Sequence, residues 1–143
     1  MFKKIILALL ALSTLLSAAE VNWAKDYDSG IVAAKSENKP VLFIISRDSC
    51  KYCIKLDNET LKDPKVVKEL NENFIAIRSW TNEGDYIPPF LAQNTPGLPG
   101  IWFLYPNGDP MYQPLLGYLK ASDFFGALKT VEAEFKKNNS KGK

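Results

Sequence analysis

The chain has 143 residues, of which 46% are hydrophobic and 24% are charged, and its formal net charge is +2. This composition is typical of a folded globular protein and excludes a disordered chain. Because the charge is nearly balanced, it also argues against a basic nucleic-acid-binding surface and against electrostatic attachment to a membrane.

The first 19 residues have the pattern of an export signal. Two lysines precede an apolar run over residues 5–16, and small residues follow it. This pattern predicts cleavage between Ala19 and Glu20 and export to the periplasm. The run is shorter than the about 20 apolar residues that a membrane span needs, and an uncleaved signal anchor is the alternative. The predicted parts are a signal peptide (1–19), one domain (20–137) and a flexible basic tail (138–143).

The first half of the predicted domain alternates helices and strands. Apolar residues spaced about one helical turn apart predict a helix over Trp23–Asn38. The unbroken apolar run Val41–Ile45 is typical of a central strand that is covered on both faces. A helix over Cys50–Leu61 follows. A second helix starts at Asp63 and Pro64, because Asp is a good N-cap and Pro suits the first helical position.

The second half follows from the same kinds of pattern. Its elements are a strand at Phe74–Arg78, a short helix at Pro89–Gln93, strands at Gly100–Tyr105 and Met111–Leu116, and a helix capped by Ser122. Strand-helix-strand crossovers imply parallel pairing, whereas the Asn107-Gly108 turn implies an antiparallel edge. The order therefore predicts an α/β fold with a mixed central sheet flanked by helices.

The two cysteines of the chain, Cys50 and Cys53, lie where the predicted buried strand leads into a helix. A bridge across so short a loop stabilises a fold little, so chemistry explains the pair better. Free N–H groups and the helix dipole favour a thiolate at Cys50, and Arg47 and Lys51 act in the same direction. We expect Cys50 to be the exposed attacking thiol and Cys53 the buried resolving thiol.

The cysteine pair has two other interpretations. A structural zinc site needs two further Cys or His ligands, and the sequence has no histidine and no other cysteine, so we predict no metal. An inert local disulfide stays open. With an inert disulfide, the protein would be a non-catalytic binding or chaperone module. Tyr52, between the cysteines, either shapes the rim of the site or simply packs.

The cysteine pair belongs to a longer pattern. The segments 41–53 and 97–108 together resemble the thioredoxin superfamily. Cys53 with Leu56, the segment 61–64 and Asn73-Phe74 resemble its periplasmic thioredoxin-related branch more closely. The resemblance covers essentially the whole predicted domain and implies the three-layer thioredoxin-like fold.

The resemblance also implies roles for two residues before the third strand. In that family a cis-proline precedes the strand beside the redox pair, and Pro99 matches it. The preceding residue, Leu98, is expected to offer its backbone to an extended substrate chain. Leu98 is closer to reducing thioredoxins than to isomerases, which usually carry Thr at this position.

The chain departs from the family at two positions. Ile44 replaces a buried Asp that accepts the proton of the resolving cysteine, and Ser49 replaces a Trp. The proton then needs water, Lys55 or a carboxylate. Asp57 and Glu59 are near in sequence but are predicted to be solvated on the helix surface.

These observations predict a periplasmic thiol-disulfide oxidoreductase that needs no bound cofactor, with a weak preference for reduction over oxidation. Its predicted site residues are Cys50 and Cys53 for catalysis, Leu98 and Pro99 for substrate binding, and Arg47, Lys51 and Tyr52 for tuning. The expected partners are thiols or disulfides of exported proteins, with no nucleic acid. A reductase in an oxidising compartment needs electrons, and the resemblance implies a membrane conduit as their donor. We expect a monomer.

Overall fold

The structure is a computed structural model that describes residues 19–141. Except for Ala19, the predicted signal peptide lies outside the described residues, as do the last two residues. The elements in chain order are α1 (Tyr27–Glu37), β1 (Val41–Ser46), α2 (Lys51–Asn58), a 3-10 turn (Thr60–Lys62), α3 (Pro64–Asn73), β2 (Ile75–Trp80), α4 (Pro89–Gln93), β3 (Gly100–Leu104), β4 (Leu115–Leu116) and α5 (Ala121–Lys141).

The strands form one mixed sheet in the order β2-β1-β3-β4. β1 and β2 are parallel, with Ile44 opposite Arg78, because α2 and α3 carry the chain back between them. β1 and β3 are antiparallel, with Ile45 opposite Gly100, and β3 and β4 are antiparallel as well. The predicted fold class, a mixed sheet flanked by helices, is confirmed.

Both faces of the central strands are covered, and every residue of β1 is buried. Side chains of β1 alternate between two apolar clusters, as the twofold repeat of a strand requires. The first cluster includes Leu42, Ile44, Leu56, Val66, Leu70, Ile101, Phe103, Phe124 and Leu128. The second includes Ala34, Val41, Phe43, Ile45, Ile77, Leu91, Trp102 and Leu104. The fold thus has three layers, and β1 lies in the middle one, covered on both faces.

The first helix begins later than predicted, at Tyr27 instead of Trp23. Its N-cap is Asp26, whose side chain accepts a hydrogen bond of 2.8 Å from the backbone N–H of Ser29. Trp23 forms a parallel bridge with Ala76 of β2 instead. The segment before the helix therefore lies along the edge of the sheet, a long-range contact that helical spacing does not reveal.

The helix after the cysteines is shorter than predicted, and the next one starts as predicted. α2 ends at Asn58, and a separate 3-10 turn replaces the rest of the predicted helix. The side chain of Asp63 accepts hydrogen bonds from the N–H groups of Lys65 and Val66, so the predicted cap is confirmed.

The returning strand is much shorter than predicted. The turn itself is present: the N–H of Gly108 donates to the carbonyl of Tyr105 over 2.9 Å. β4 comprises only two residues, however. Pro110 pairs with Leu104 in an isolated bridge, and the ladder is interrupted between this bridge and Leu115. Pro114, which lacks an N–H, lies in this gap.

The last helix begins at Ala121, so Ser122 lies in its first turn and the predicted cap at Ser122 is wrong. The helix continues to Lys141 and includes part of the segment that was assigned to a tail. Its predicted apolar stripe is buried at Phe124, Leu128, Val131 and Phe135.

Candidate active site

The cysteine pair lies at the carboxyl end of β1, where the chain turns into α2. The connecting residues 47–49 are exposed, and the N–H of Cys50 donates to the carbonyl of Arg47 over 3.3 Å. The last residue of β1, Ser46, is buried, and its carbonyl accepts a hydrogen bond from Thr81. Cys50 has extended backbone angles and is the N-cap of α2.

Cys50 and Cys53 form a disulfide, with their Cα atoms 5.2 Å apart. The backbone N–H of Cys53 donates to Sγ of Cys50 over 3.2 Å. Cys53 is only 1% exposed, whereas Cys50 is half-buried at the rim of the fold. Because a helix N-terminus directs N–H groups and positive dipole charge at Cys50, this position favours a thiolate when the disulfide is reduced.

The loop before β3 lies at the same end of the sheet. The Leu98–Pro99 peptide bond is cis. Pro99 precedes Gly100, which pairs with Ile45 near the end of β1, so the loop lies on the side of the sheet from which the chain leads to Cys50. The carbonyl of Pro99 accepts a hydrogen bond of 3.0 Å from the N–H of Gly117.

Leu98 is half-buried and packs against the second apolar cluster. Among residues 19–141, no group forms a hydrogen bond with its backbone N–H or carbonyl. Both groups therefore stay available at the rim of the site.

The three predicted tuning residues are exposed. Arg47 donates from Nε to the hydroxyl of Thr81 over 3.0 Å, which holds its charge on the loop before Cys50. Lys51 and Tyr52 occupy the first turn of α2, and Tyr52 keeps 53% of its surface exposed. An aromatic side chain so open to solvent lies at the surface of the redox turn and is no part of the core.

The prediction that Asp57 is solvated is wrong. Its carboxylate pairs with Arg78 on β2, with Oδ1 2.9 Å from Nη2 and Oδ2 3.2 Å from Nη1. Burial raises the pKa of Asp57, and Arg78 opposes this shift. Asp57 also lies four residues after Cys53 in α2, on the same face of the helix. Glu59, in contrast, is exposed and accepts a hydrogen bond from Tyr118.

Arg78 is the residue of this region that the sequence did not identify. Its guanidinium lies over the ring of Trp23, 4.0 Å from the centroid, and near the ring of Trp80 at 5.1 Å. Burial lowers its pKa, and Asp57 opposes this shift. The sequence contains a sign of this ion pair, because Arg78 ends the apolar run Ile75-Ala76-Ile77. A charged side chain in an otherwise buried strand needs a partner of opposite charge.

Two other kinds of site, a metal site and a membrane-spanning helix, are absent from the described part of the chain. Residues 19–141 hold no group of three or more acidic or cysteine side chains that could bind a metal ion. The helices of this part are all too short or too polar to cross a membrane. The chemistry that the described geometry offers is the reversible exchange of the Cys50–Cys53 disulfide.

Known proteins resemble the chain in sequence and fold. Anterior gradient protein 3 of Mus musculus is 25% identical over 80 residues, which cover 50% of this chain. The matched part is 48% of that protein, so the chain spans about half the length of this relative. A solved structure of the DsbH oxidoreductase has a similar fold, with a TM-score of 0.68 at 16% sequence identity. The likeness covers 83% of this chain and 89% of the DsbH chain.

A second solved structure is closer in sequence. The oxidised C-terminal domain of DsbD from Neisseria meningitidis is 27% identical, with a TM-score of 0.55. The likeness covers 72% of this chain and 90% of that domain. Fold and cysteine motif together support a function of the thiol-disulfide oxidoreductase type. A family of thioredoxin-like domains matches residues 27–132, most of the chain, and the chain belongs to this family.

Proposed function

We propose that the chain is a thiol-disulfide oxidoreductase of the periplasm that exchanges disulfides with exported proteins. The proposal rests on the unequal exposure of the two cysteines. Cys50 is accessible at the N-terminus of α2 and accepts an N–H hydrogen bond, while Cys53 lies buried one turn further along. An attacking thiol must be accessible to its substrate, whereas a resolving thiol needs to reach only the sulfur of the attacking cysteine.

The proposed exchange proceeds in two steps. In the reduced protein, the Cys50 thiolate attacks one sulfur of a substrate disulfide. The substrate S–S bond breaks, one substrate thiolate leaves and takes up a proton, and a mixed disulfide remains. Cys53 then loses its proton and attacks the sulfur of Cys50. The mixed disulfide breaks, the second substrate thiolate is released and protonated, and two electrons have passed to the substrate.

The second step needs a proton acceptor for Cys53, and Ile44 offers none at the family's usual position. We assign this role to Asp57. It shares a helical face with Cys53, and its half-buried carboxyl has a raised pKa. A raised pKa makes a carboxylate a better base. The pair with Arg78 keeps the carboxylate oriented between helix and sheet.

The loop before β3 is the proposed contact for the substrate chain. The unpaired backbone groups of Leu98 suit hydrogen bonds to an extended polypeptide beside Cys50, as a further strand pairs with a sheet edge. Pro99 directly precedes Gly100, which pairs with Ile45 of β1, so this contact lies next to β1. Arg47, Lys51 and Tyr52 form the exposed surroundings and tune the thiolate and the approach of the substrate.

The direction and the place of the exchange belong to the same proposal. An apolar Leu98 favours net reduction, and the export pattern of residues 1–19 favours the periplasm. Reduction there consumes electrons, so we propose a membrane conduit that reduces the Cys50–Cys53 disulfide after each cycle. The chain acts as a monomer without a bound cofactor in this scheme.

The central experiment measures the reduction of insulin by dithiothreitol in the presence of the protein. The wild type should accelerate the reaction, and Cys50→Ser should return the rate to the background. Ser49→Ala is the matched control, because it alters the adjacent exposed residue and keeps both thiols. Equal rates for wild type and Cys50→Ser would leave a binding or chaperone module with an inert disulfide.

Two measurements test direction and location. Equilibration with glutathione gives the redox potential; a value below about −200 mV supports a reductase, whereas a value near about −120 mV indicates an oxidase. Expression of the full chain in an exporting bacterium, followed by fractionation and mass measurement, tests for a periplasmic protein that begins at Glu20. Retention of the first 19 residues would contradict the predicted cleavage.

A further inference from the structure

The side chain of Thr95 connects three parts of the structure just before the loop that carries Leu98 and Pro99. Its hydroxyl donates to the carbonyl of Leu91 in α4 over 2.6 Å. The same oxygen accepts a hydrogen bond of 2.9 Å from the indole Nε1–H of Trp102 in β3. Trp102 is 1% exposed, so its N–H depends on a protein partner.

The methyl group of Thr95 makes a second contact, with the first residue of β3. A Cβ added to Gly100 would clash with Cγ2 of Thr95, so the glycine leaves the space that the methyl group occupies. Gly100 pairs with Ile45 of β1 and directly follows Pro99. One side chain therefore contacts both the residue that follows the loop and the helix that precedes it.

The backbone of the residues between these contacts has few restraints. Pro96, Gly97 and Leu98 form no backbone hydrogen bond with any other described residue. The next backbone hydrogen bond of the loop is at Pro99, whose carbonyl accepts a hydrogen bond from the N–H of Gly117. The position of the Leu98 backbone relative to Cys50 thus depends on how the beginning of the loop is held.

We propose that Thr95 is a positioning residue that sets the loop of residues 95–99 for polypeptide substrates. This inference rests on the proposed function. An extended protein substrate would pair with the backbone of Leu98, so a displaced loop weakens its binding. A small aromatic disulfide has no backbone to pair and reacts with the Cys50 thiolate alone. Thr95 therefore determines a preference for protein disulfides over small ones.

The test compares Thr95→Val with Thr95→Ser. Valine keeps the shape of the side chain but leaves the indole N–H of Trp102 and the Leu91 carbonyl without their partner. Serine keeps the hydroxyl and serves as the conservative variant. We expect Thr95→Val to raise the KM for insulin about tenfold, the factor expected for one well-placed hydrogen bond, with kcat nearly unchanged. Thr95→Ser should stay close to the wild type.

The second readout is the reaction of the reduced protein with the small disulfide 5,5′-dithiobis(2-nitrobenzoate). Its rate, and the pH dependence of that rate, should be the same for wild type and Thr95→Val. An unchanged KM for insulin would overturn the inference, and so would equal losses with both reagents. If Thr95→Val does not fold, Trp102→Phe carries the test, because it removes the indole donor and keeps an aromatic ring. An inactive wild type would instead refute the proposed function.

Discussion

The carboxylate of Asp57 and the guanidinium of Arg78 form a two-point ion pair that ties α2 to β2, at 2.9 and 3.2 Å. The side chain of Arg78 is 15% exposed and that of Asp57 is 29% exposed, so water screens the pair only partly. A largely buried cation without its partner is costly.

Replacement of Asp57 by Ala removes both contacts to Arg78, so it should lower the free energy of unfolding by about 1–3 kcal/mol. Burial raises the folded-state pKa of Asp57 above its ordinary 3.8. The protonated carboxyl of Asp57 thus contributes to the stability of the folded state, and this contribution is complete below pH 3.8. It is lost as the pH rises through the raised pKa of Asp57. The variant should lack this dependence. Urea unfolding at several pH values measures both effects.

Glu37→Ala is the matched control for Asp57→Ala. Glu37 also forms an ion pair, with Lys39 at 3.3 Å, but it is 49% exposed. Exposed pairs contribute little, so we expect a loss below about 0.5 kcal/mol. Equal losses in the two variants would show that the Asp57 pair has no special role in stability.

A second prediction concerns the buried carboxyls Glu69 of α3 and Glu132 of α5. Burial and the neighbouring Glu132 raise the pKa of Glu69, while hydrogen bonds from Glu69 and Lys136 lower the pKa of Glu132 to about 2. Both shifts favour a protonated Glu69 beside an ionised Glu132. Glu132 stabilises the fold above pH 4.5, and this contribution is lost as the pH falls from 4.5 towards 2.

Glu69 has the opposite dependence. Its contribution is complete below pH 4.5 and is lost as the pH rises through its raised pKa. Glutamine at this position does not titrate, so Glu69→Gln should retain the stability that the wild type loses as the pH rises through the raised pKa of Glu69. Thermal unfolding at a series of pH values from 4.5 upwards measures the difference. Glu72→Gln, on the exposed side of α3, is the control; if it behaves like Glu69→Gln, the titration of Glu69 is not the cause.

Two glycines should respond to alanine in opposite directions. Gly108 has φ of +92°, and an added Cβ would lie 2.7 Å from the hydroxyl of Tyr27. Gly108→Ala should cost about 1–3 kcal/mol of stability. Gly126 lies on the exposed side of α5, with no atom within 4 Å of an added Cβ, so Gly126→Ala should stabilise by up to about 1 kcal/mol. Chemical denaturation measures both, and a destabilising Gly126→Ala would contradict this account of α5.

The division of labour between the cysteines gives the fourth prediction. With Cys53→Ser, the mixed disulfide between Cys50 and a substrate protein should accumulate, because the second step is blocked. Non-reducing electrophoresis and mass spectrometry of the trapped species identify the bond. Cys50→Ser should trap none, since Cys53 is buried. Equal trapping by both variants would contradict the assigned roles.

Sequence patterns predicted the elements that local chemistry determines. The apolar run of β1, the short helix α4 and the Asp63 cap of α3 need no knowledge of distant residues. The start of α1 was wrong, since Trp23 pairs with Ala76, more than fifty positions away. Such a contact has no local signal.

The site shows the same limit. The spacing of the two cysteines predicted that they lie close together and that Cys53 is the buried one, because helix geometry fixes their relation. Arg78 and Thr95 were missed. An arginine in a strand and a threonine before a proline are common, and only the partners Asp57 and Trp102 give them meaning.

The bridge of Trp23 to Ala76 also protects the outer side of β2. β2 is the last strand on its side of the sheet, and the carbonyl of Ala76 is bonded to the N–H of Ala24. A chain shortened to Tyr27 would uncover that strand and leave its polar backbone groups to recruit a neighbouring molecule. The few residues before the first helix thus act as a guard against self-association, and shortened versions of the protein should aggregate more readily than the chain that retains them.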